Sequence, residues 1–241
     1  MTSLTHWHCL ASQPLAKKHV ILYWEDKLCE EACNLPSLKF FRPNFLSISS
    51  PHPLFTSAGS SAYEVSKAII QALFLSGRYR TEKLCRYWSS NTSGYCLLPQ
   101  CLTLKIVEDE EHILLSCQSL AATRVKLSEF TIAYAKANPV VGDLLVTFTN
   151  PYNPLYSQFL VDCSVIPQVI SHAQAHCNIT LQHLFKVTRT WCYALHRDRL
   201  KLLGRWRKFK NNDIESHTQV YVDYSNTELN WKIIMWLFSV K

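Results

Sequence analysis

The chain has 241 residues, 48% of them hydrophobic and 18% charged, with a net charge of +7. A composition this apolar excludes a disordered chain, and the length allows one or two domains with a buried core. It also excludes a membrane span: no apolar run reaches the ~18 residues needed, and the nearest, Ile233 to Val240, is far too short.

There are ten cysteines. Thr2 to Gln13 shows neither the basic start nor the long apolar stretch of a secretory signal. The expectation is an intracellular protein, cytoplasmic or nuclear. Its thiols would be reduced and used for metal binding or core packing rather than disulfides.

Residues 1–34 form a poorly defined N-terminal segment. A helix can run from Pro14 to Ala32, with Val20, Ile21, Trp24, Leu28 and Ala32 roughly on one face. Cys29 and Cys33 sit at i and i+4 on it and read better as half-buried thiols than as ligands. Residues 35–58 read as extended, because Pro36, Pro43, Pro51 and Pro53 forbid a long helix.

Ser61 to Ser76 is the clearest helix. Ser61-Ala62-Tyr63-Glu64 has the capping-box pattern, Val65, Ile69, Leu73 and Phe74 follow at helical spacing, and Gly77 is a natural stop. Beyond it come Arg78, Tyr79, Arg80, Lys83, Arg86, Tyr87 and Trp88. Cations interleaved with aromatics suit a phosphate backbone and unstacked bases. For any one of these residues, a solvated helix end with inward-packed aromatics is an equally good reading. Asn91 to Gly94 is a turn.

The run CLLPQCLTLKIVEDEEHILLSC, Cys96 to Cys117, organises the chain. Cys96, Cys101, His112 and Cys117 form a Cys-x4-Cys…His-x4-Cys set, and thiolate and imidazole are the ligands that one structural Zn²⁺ prefers, four at a time. Leu97 to Gln100 read as a short loop, and Asp109 to Glu111 as an acidic helix start. His112 and Cys117 are five apart, so one α-helical face does not hold both, and Cys117 is expected where the helix ends or loosens. From spacing alone, four unrelated residues in a cysteine-rich chain are an equal alternative.

Ser119 to Ala137 reads as a helix ended by Asn138-Pro139, Gly142 to Phe148 as a short apolar segment, and Asn150 to Pro154 as a turn-rich break. Two short helices follow, Leu155 to Val161 and Ile166 to Ala175, with Pro167 near the start of the second. Thr180 to about Arg207 is a long amphipathic helix with Leu184, Val187, Trp191, Ala194, Leu195, Leu202 and Leu203 as its stripe. Lys186, Arg189, Arg197, Arg199, Lys201, Arg205, Arg207, Lys208 and Lys210 make its basic side, where Asp198 is the only acid. So few carboxylates argue against mutual pairing and for an anionic partner, RNA or DNA. Residues 211–241 change character: Gln219 to Tyr224 reads as a strand and Glu228 to Phe238 as an apolar helix or strand.

The segment LPSLKFFRPNFLSISSPHPLFTSAGSSAYEVSKAIIQALFLSGRYRTEKLCRYWSSNTSGYCLLPQC, with EDEEHILLSC and TRTWCYALHRDRLKLLGRW, resembles the region after the reverse transcriptase domain in animal non-LTR retrotransposon polyproteins. The resemblance covers roughly 35–210, with the SGRYRTEKL run and the Cys/His set as its most specific parts; 211–241 is an unmatched tail. It implies that Cys96, Cys101, His112 and Cys117 are a zinc knuckle. The nucleic-acid contacts expected on the residue types are Arg78, Tyr79, Arg80, Lys83, Arg86, Arg197, Arg199, Lys201, Arg205, Arg207 and Lys208.

Polymerase chemistry needs carboxylates that hold two metal ions. Tyr221-Val222-Asp223-Tyr224 has one aspartate and follows the Cys/His set, so neither a polymerase nor an endonuclease centre is expected, and the chain reads as a non-enzyme. The expected fold is mainly α, an irregular helical domain with a small Cys/His zinc knuckle. Two other readings stay open. One is a translated fragment of a decayed element. The other is a Cys/His hydrolase built from Cys163, Cys177 or Cys192 with His172, His176, His183 or His196.

Overall fold

The computed structural model describes residues 51–176 and 179–211, together with 38–40, 42 and scattered positions between 19 and 34; beyond 204 only the helix backbone is described. The chain divides into two units. One comprises Met1–Pro36, Arg42–His52 and Thr218–Lys241, and the other Ser37–Phe41 and Pro53–His217. In the first unit the described positions from 19 to 34 are helical, as expected for the N-terminal helix, and Val20 is exposed. Cys29, Cys33, the Gln219–Tyr224 strand and the Glu228–Phe238 segment lie outside the described residues.

The regular elements among the second unit's described residues are all helical, joined by turns and loops, with a single Tyr95–Val107 antiparallel bridge as its extended pairing. Pro53 does not extend the chain but starts a one-turn helix, α1 (Pro53–Thr56), which buries Leu54. Proline is tolerated there because its missing N–H falls in a first turn that has no helical partner for it.

Helix α2 (Ala62–Leu75) starts after Ser61 and stops at Gly77, whose φ of 61° is the left-handed conformation that favours glycine at a helix end. The capping box does not form. Ser61 makes no side-chain cap bond, and Glu64 instead meets Lys67 at 2.7 Å and Arg189 at 3.4 Å. The buried residues are Lys67, Ala68, Gln71, Ala72, Phe74 and Leu75. Gln71 Nε2 donates to the carbonyls of Leu160 and Val161 and to Thr188 Oγ1, joining three elements through one amide.

Helix α3 (Glu82–Trp88) is capped by Thr81, whose hydroxyl accepts from the Leu84 N–H. One turn, α4 (Pro99–Leu102), carries Cys101 where a loop was expected. Next come a π-helical stretch, His112–Ser116, a 3-10 turn, Gln118–Leu120, and helix α5 (Ala121–Ala137). Helix α6 (Pro139–Phe148) takes in the apolar segment expected from Gly142, and begins three residues earlier with Pro139 in its first turn. A Cβ at Gly142 would sit 3.1 Å from the Ala135 carbonyl, so the glycine permits the close α5–α6 approach. Helices α7 (Tyr156–Val161) and α8 (Pro167–Ala175) match the expected short pair.

Helix α9 (Ile179–Asn211) is the spine, in contact with α2, α5, α6, α7 and α8. Leu184, Val187, Trp191, Leu195 and Leu203 are buried as the stripe requires, while Ala194 and Leu202 are partly so. Phe185, Thr188, Arg189, Cys192 and Arg199 are buried as well, because neighbours cover more of this helix than a single face. Trp191 donates to Thr131 on α5 at 2.9 Å and meets Tyr156 on α7 edge to face. Among the described residues no helix is long and apolar enough to cross a membrane.

Candidate metal centre

Three local structures bring Cys96, Cys101, His112 and Cys117 together. The first is a short pairing: the Cys96 N–H donates to the Ile106 carbonyl and the Glu108 N–H to the Gly94 carbonyl. Gly94 has φ of 77°, and Lys105 turns the chain back with φ of 50°. The second is α4, which starts at Pro99 and buries Cys101, whose carbonyl accepts from the Ile106 N–H at 3.3 Å. The third is the π stretch, opened by Asp109 Oδ1 accepting from the His112 N–H at 2.9 Å.

The π stretch solves the spacing problem. Five α-helical steps leave Cys117 about 140° away from His112 around the axis. Here the Cys117 N–H bonds the His112 carbonyl at 2.7 Å, an i→i+5 turn, and the chain leaves the helix at Cys117. The wider turn returns Cys117 to the side of His112.

All four residues are buried, and their ligand atoms lie within 4.8 Å of one another. Cys101 Sγ and Cys117 Sγ are 3.7 Å apart. That is far longer than a disulfide of about 2.05 Å and close to the ~3.8 Å edge of a tetrahedron with 2.3 Å metal–sulfur bonds. His112 Nδ1 pairs with Ser116 Oγ at 3.2 Å, whereas its Nε2 is buried with no hydrogen-bond partner. A buried ring nitrogen without a partner is costly, and a metal ion would satisfy it, with the Nδ1 contact fixing the ring as an outer-shell bond does. The donor set therefore fits a single metal site.

The electrostatics agree. The Cys117 thiol is pulled well below the usual thiol range, first by its hydrogen bond with Cys96, against burial, with His112 adding to the effect. Cys96 is pushed up by that same bond and by burial; Cys101 is pushed up by burial, which the Gln118 and Ser119 N–H groups oppose. Three thiols this close cannot all lose their protons unless a cation takes their place. Three thiolates around a divalent ion leave one net negative charge, and Arg124 stands beside it. Its Nη2 donates to the Cys117 carbonyl at 2.6 Å, and its Nη1 is buried without a hydrogen-bond partner. Sequence reasoning missed Arg124 and Ser116; their only signal is position, two helical turns after Cys117 and one after His112.

The expected nucleic-acid contacts divide. Arg78, Arg80, Lys83, Arg86, Arg197 and Lys201 are exposed. The side chains of Arg205, Arg207 and Lys208 lie outside the described residues. Tyr79 and Arg199 are corrections, since both are interior. Tyr79 stacks on Phe74 with ring centres 3.8 Å apart and bonds His196 Nδ1 at 3.0 Å. Arg199 grips the fully buried Glu108 with two bonds, of 3.0 and 2.6 Å. The scarcity of carboxylates on α9 also misled: Arg189 finds Glu64, Arg199 finds Glu108, and Asp198 serves both Arg197 and Lys201.

The hydrolase pairings do not form among the described residues. His172 bonds Thr180, His176 the His172 carbonyl, His183 Tyr134 and His196 Tyr79. Cys163 and Cys192 are fully buried with thiols pushed up by desolvation, and Cys192 donates to the Leu160 carbonyl. Cys177 lies outside the described residues. Comparison with known protein families, curated proteins and solved structures finds no match for the chain.

Proposed function

We propose that this chain is a zinc-stapled helical module that binds RNA or DNA and derives from the region after the reverse transcriptase domain of a non-LTR retrotransposon polyprotein. The observation that carries the zinc part is the gathering of three buried thiols and the His112 ring within 4.8 Å of one another, with His112 Nε2 lacking any hydrogen-bond partner. Thiolate-rich tetrahedral sites select Zn²⁺ over harder divalent ions, and closed four-ligand sites are structural rather than catalytic. The ion's role is to tie the Cys96 pairing, α4 and the π stretch into one knot.

The nucleic-acid part is supported by exposed cations, of which Arg78 and Arg86 have no carboxylate partner among the described residues. The retrotransposon origin rests on the SGRYRTEKL run and the Cys/His set. On this reading the chain binds rather than catalyses. Oligonucleotide affinity measured from low to moderate salt tests it: contacts to phosphate release counterions, so affinity falls steeply with salt. Affinity that is flat across that range contradicts phosphate contact.

A further inference from the structure

Helix α3 (Glu82–Trp88) buries none of its residues, yet it carries two large aromatics in solvent, Tyr87 at 80% exposure and Trp88 at 73%. The helix is nevertheless held firmly at its other end. Thr81 caps it, the Lys83 N–H donates to the Glu108 carbonyl, and the Glu82 N–H donates to Glu108 Oε2 at 2.8 Å. Glu108 is itself locked by Arg199. The aromatics therefore project from an anchored base.

Helical spacing puts Lys83, Arg86 and Tyr87 on one side at i, i+3 and i+4, with Trp88 adjoining. Arg86 runs across Gly94, where a Cβ would come within 3.1 Å of its Cδ, and its guanidinium has no ion pair among the described residues. Lys83 is 3.7 Å from Asp109 but half exposed. Exposed aromatics flanked by cations match a ligand with flat apolar faces and regularly spaced negative charge. A duplex keeps its base faces stacked away from such rings, whereas a single strand offers them.

We propose that α3 is a stacking platform for single-stranded nucleic acid, with bases on Tyr87 and Trp88 and phosphates on Lys83 and Arg86. This rests on the nucleic-acid reading above and adds the strand state and the contact residues. The test is fluorescence anisotropy of the full chain with labelled oligothymidylate and with a duplex of equal length. The wild type binds the single strand more tightly. The Tyr87→Ala, Trp88→Ala double variant loses about tenfold or more of that affinity, since base–aromatic stacking is lost at two positions, while its duplex affinity holds. A Tyr87→Phe, Trp88→Phe variant keeps the ring faces and most of the binding. Because neither residue is buried, matching thermal melts are expected for all forms. Unchanged oligothymidylate affinity in the alanine variant, or a wild-type preference for duplex, overturns the platform and leaves nucleic-acid binding itself standing. Failure of the wild type to bind either probe removes both.

Discussion

Glu108 and Arg199 form a two-pronged ion pair in the protein interior, the carboxylate wholly buried and the guanidinium nearly so. Glu108 belongs to the pairing that carries Cys96, and Arg199 lies on α9, so the ion pair fastens the Cys/His cluster to the spine. Removing one partner strands a buried charge, at a cost of about 3–5 kcal/mol. Arg199→Met is expected to lower stability by that amount in urea unfolding. The Glu108→Met, Arg199→Met double variant, with no charge left to strand, is expected to recover most of it. A double variant as weak as the single would show that the pair's worth is not electrostatic.

His196 gives the fold an acid-sensitive contact. Its Nδ1 shares a hydrogen bond with the Tyr79 hydroxyl, and burial followed by the Arg199 charge holds its pKa down at about 4. Arg199 in turn faces Glu108, which fixes the charges around the ring. The unfolded chain takes up the proton first, near 6.5, so stability rises with pH between about 4 and 6.5 and is lost as pH falls through that window. Between pH 7 and pH 5 the wild type is expected to lose about 2 kcal/mol more than His196→Gln, which keeps a hydrogen-bonding partner for Tyr79 but does not titrate. Urea midpoints at the two pH values measure this, and loss of metal at acid pH cancels in the comparison. Equal losses in both proteins would assign the acid sensitivity elsewhere.

Arg124 supplies the positive charge beside the three sulfurs. Outer-shell partners of metal ligands commonly contribute 10- to 100-fold in affinity. Arg124→Gln is expected to weaken zinc binding by about that range in a chelator competition titration. Arg124→Lys, which keeps the charge, is expected to fall between the two. Wild-type affinity in Arg124→Gln would reduce the residue to a cap on the Cys117 carbonyl.

The candidate site was legible where its determinants are local. Thiol spacing, Asp109 ahead of His112, and the glycine and proline punctuation at Gly77, Pro139 and Pro167 all act within a turn or two of chain. The five-residue gap from His112 to Cys117 even signalled a departure from α geometry, though not that a π turn would provide it. What the sequence concealed depends on distant partners. Arg199 reads as a surface cation until Glu108, 91 residues away, is placed against it, and Arg189 until Glu64, 125 residues away, is drawn from its capping role. Tyr79 looks like one more aromatic in a basic run, and only the packing of Phe74 and His196 separates it from Tyr87. Periodicity reports which side chains are apolar, not which polar ones the fold will enclose.

The most direct measurement is bound metal per chain, by native mass spectrometry and elemental analysis of the purified protein, on the wild type and on Cys101→Ser and His112→Ala. The expected result is one zinc ion per wild-type chain and loss of that ion in both variants, with increased proteolysis between Cys96 and Cys117. A wild-type chain that is folded without metal, or a stoichiometry unchanged by both substitutions, would contradict the central claim that these four side chains close around an ion.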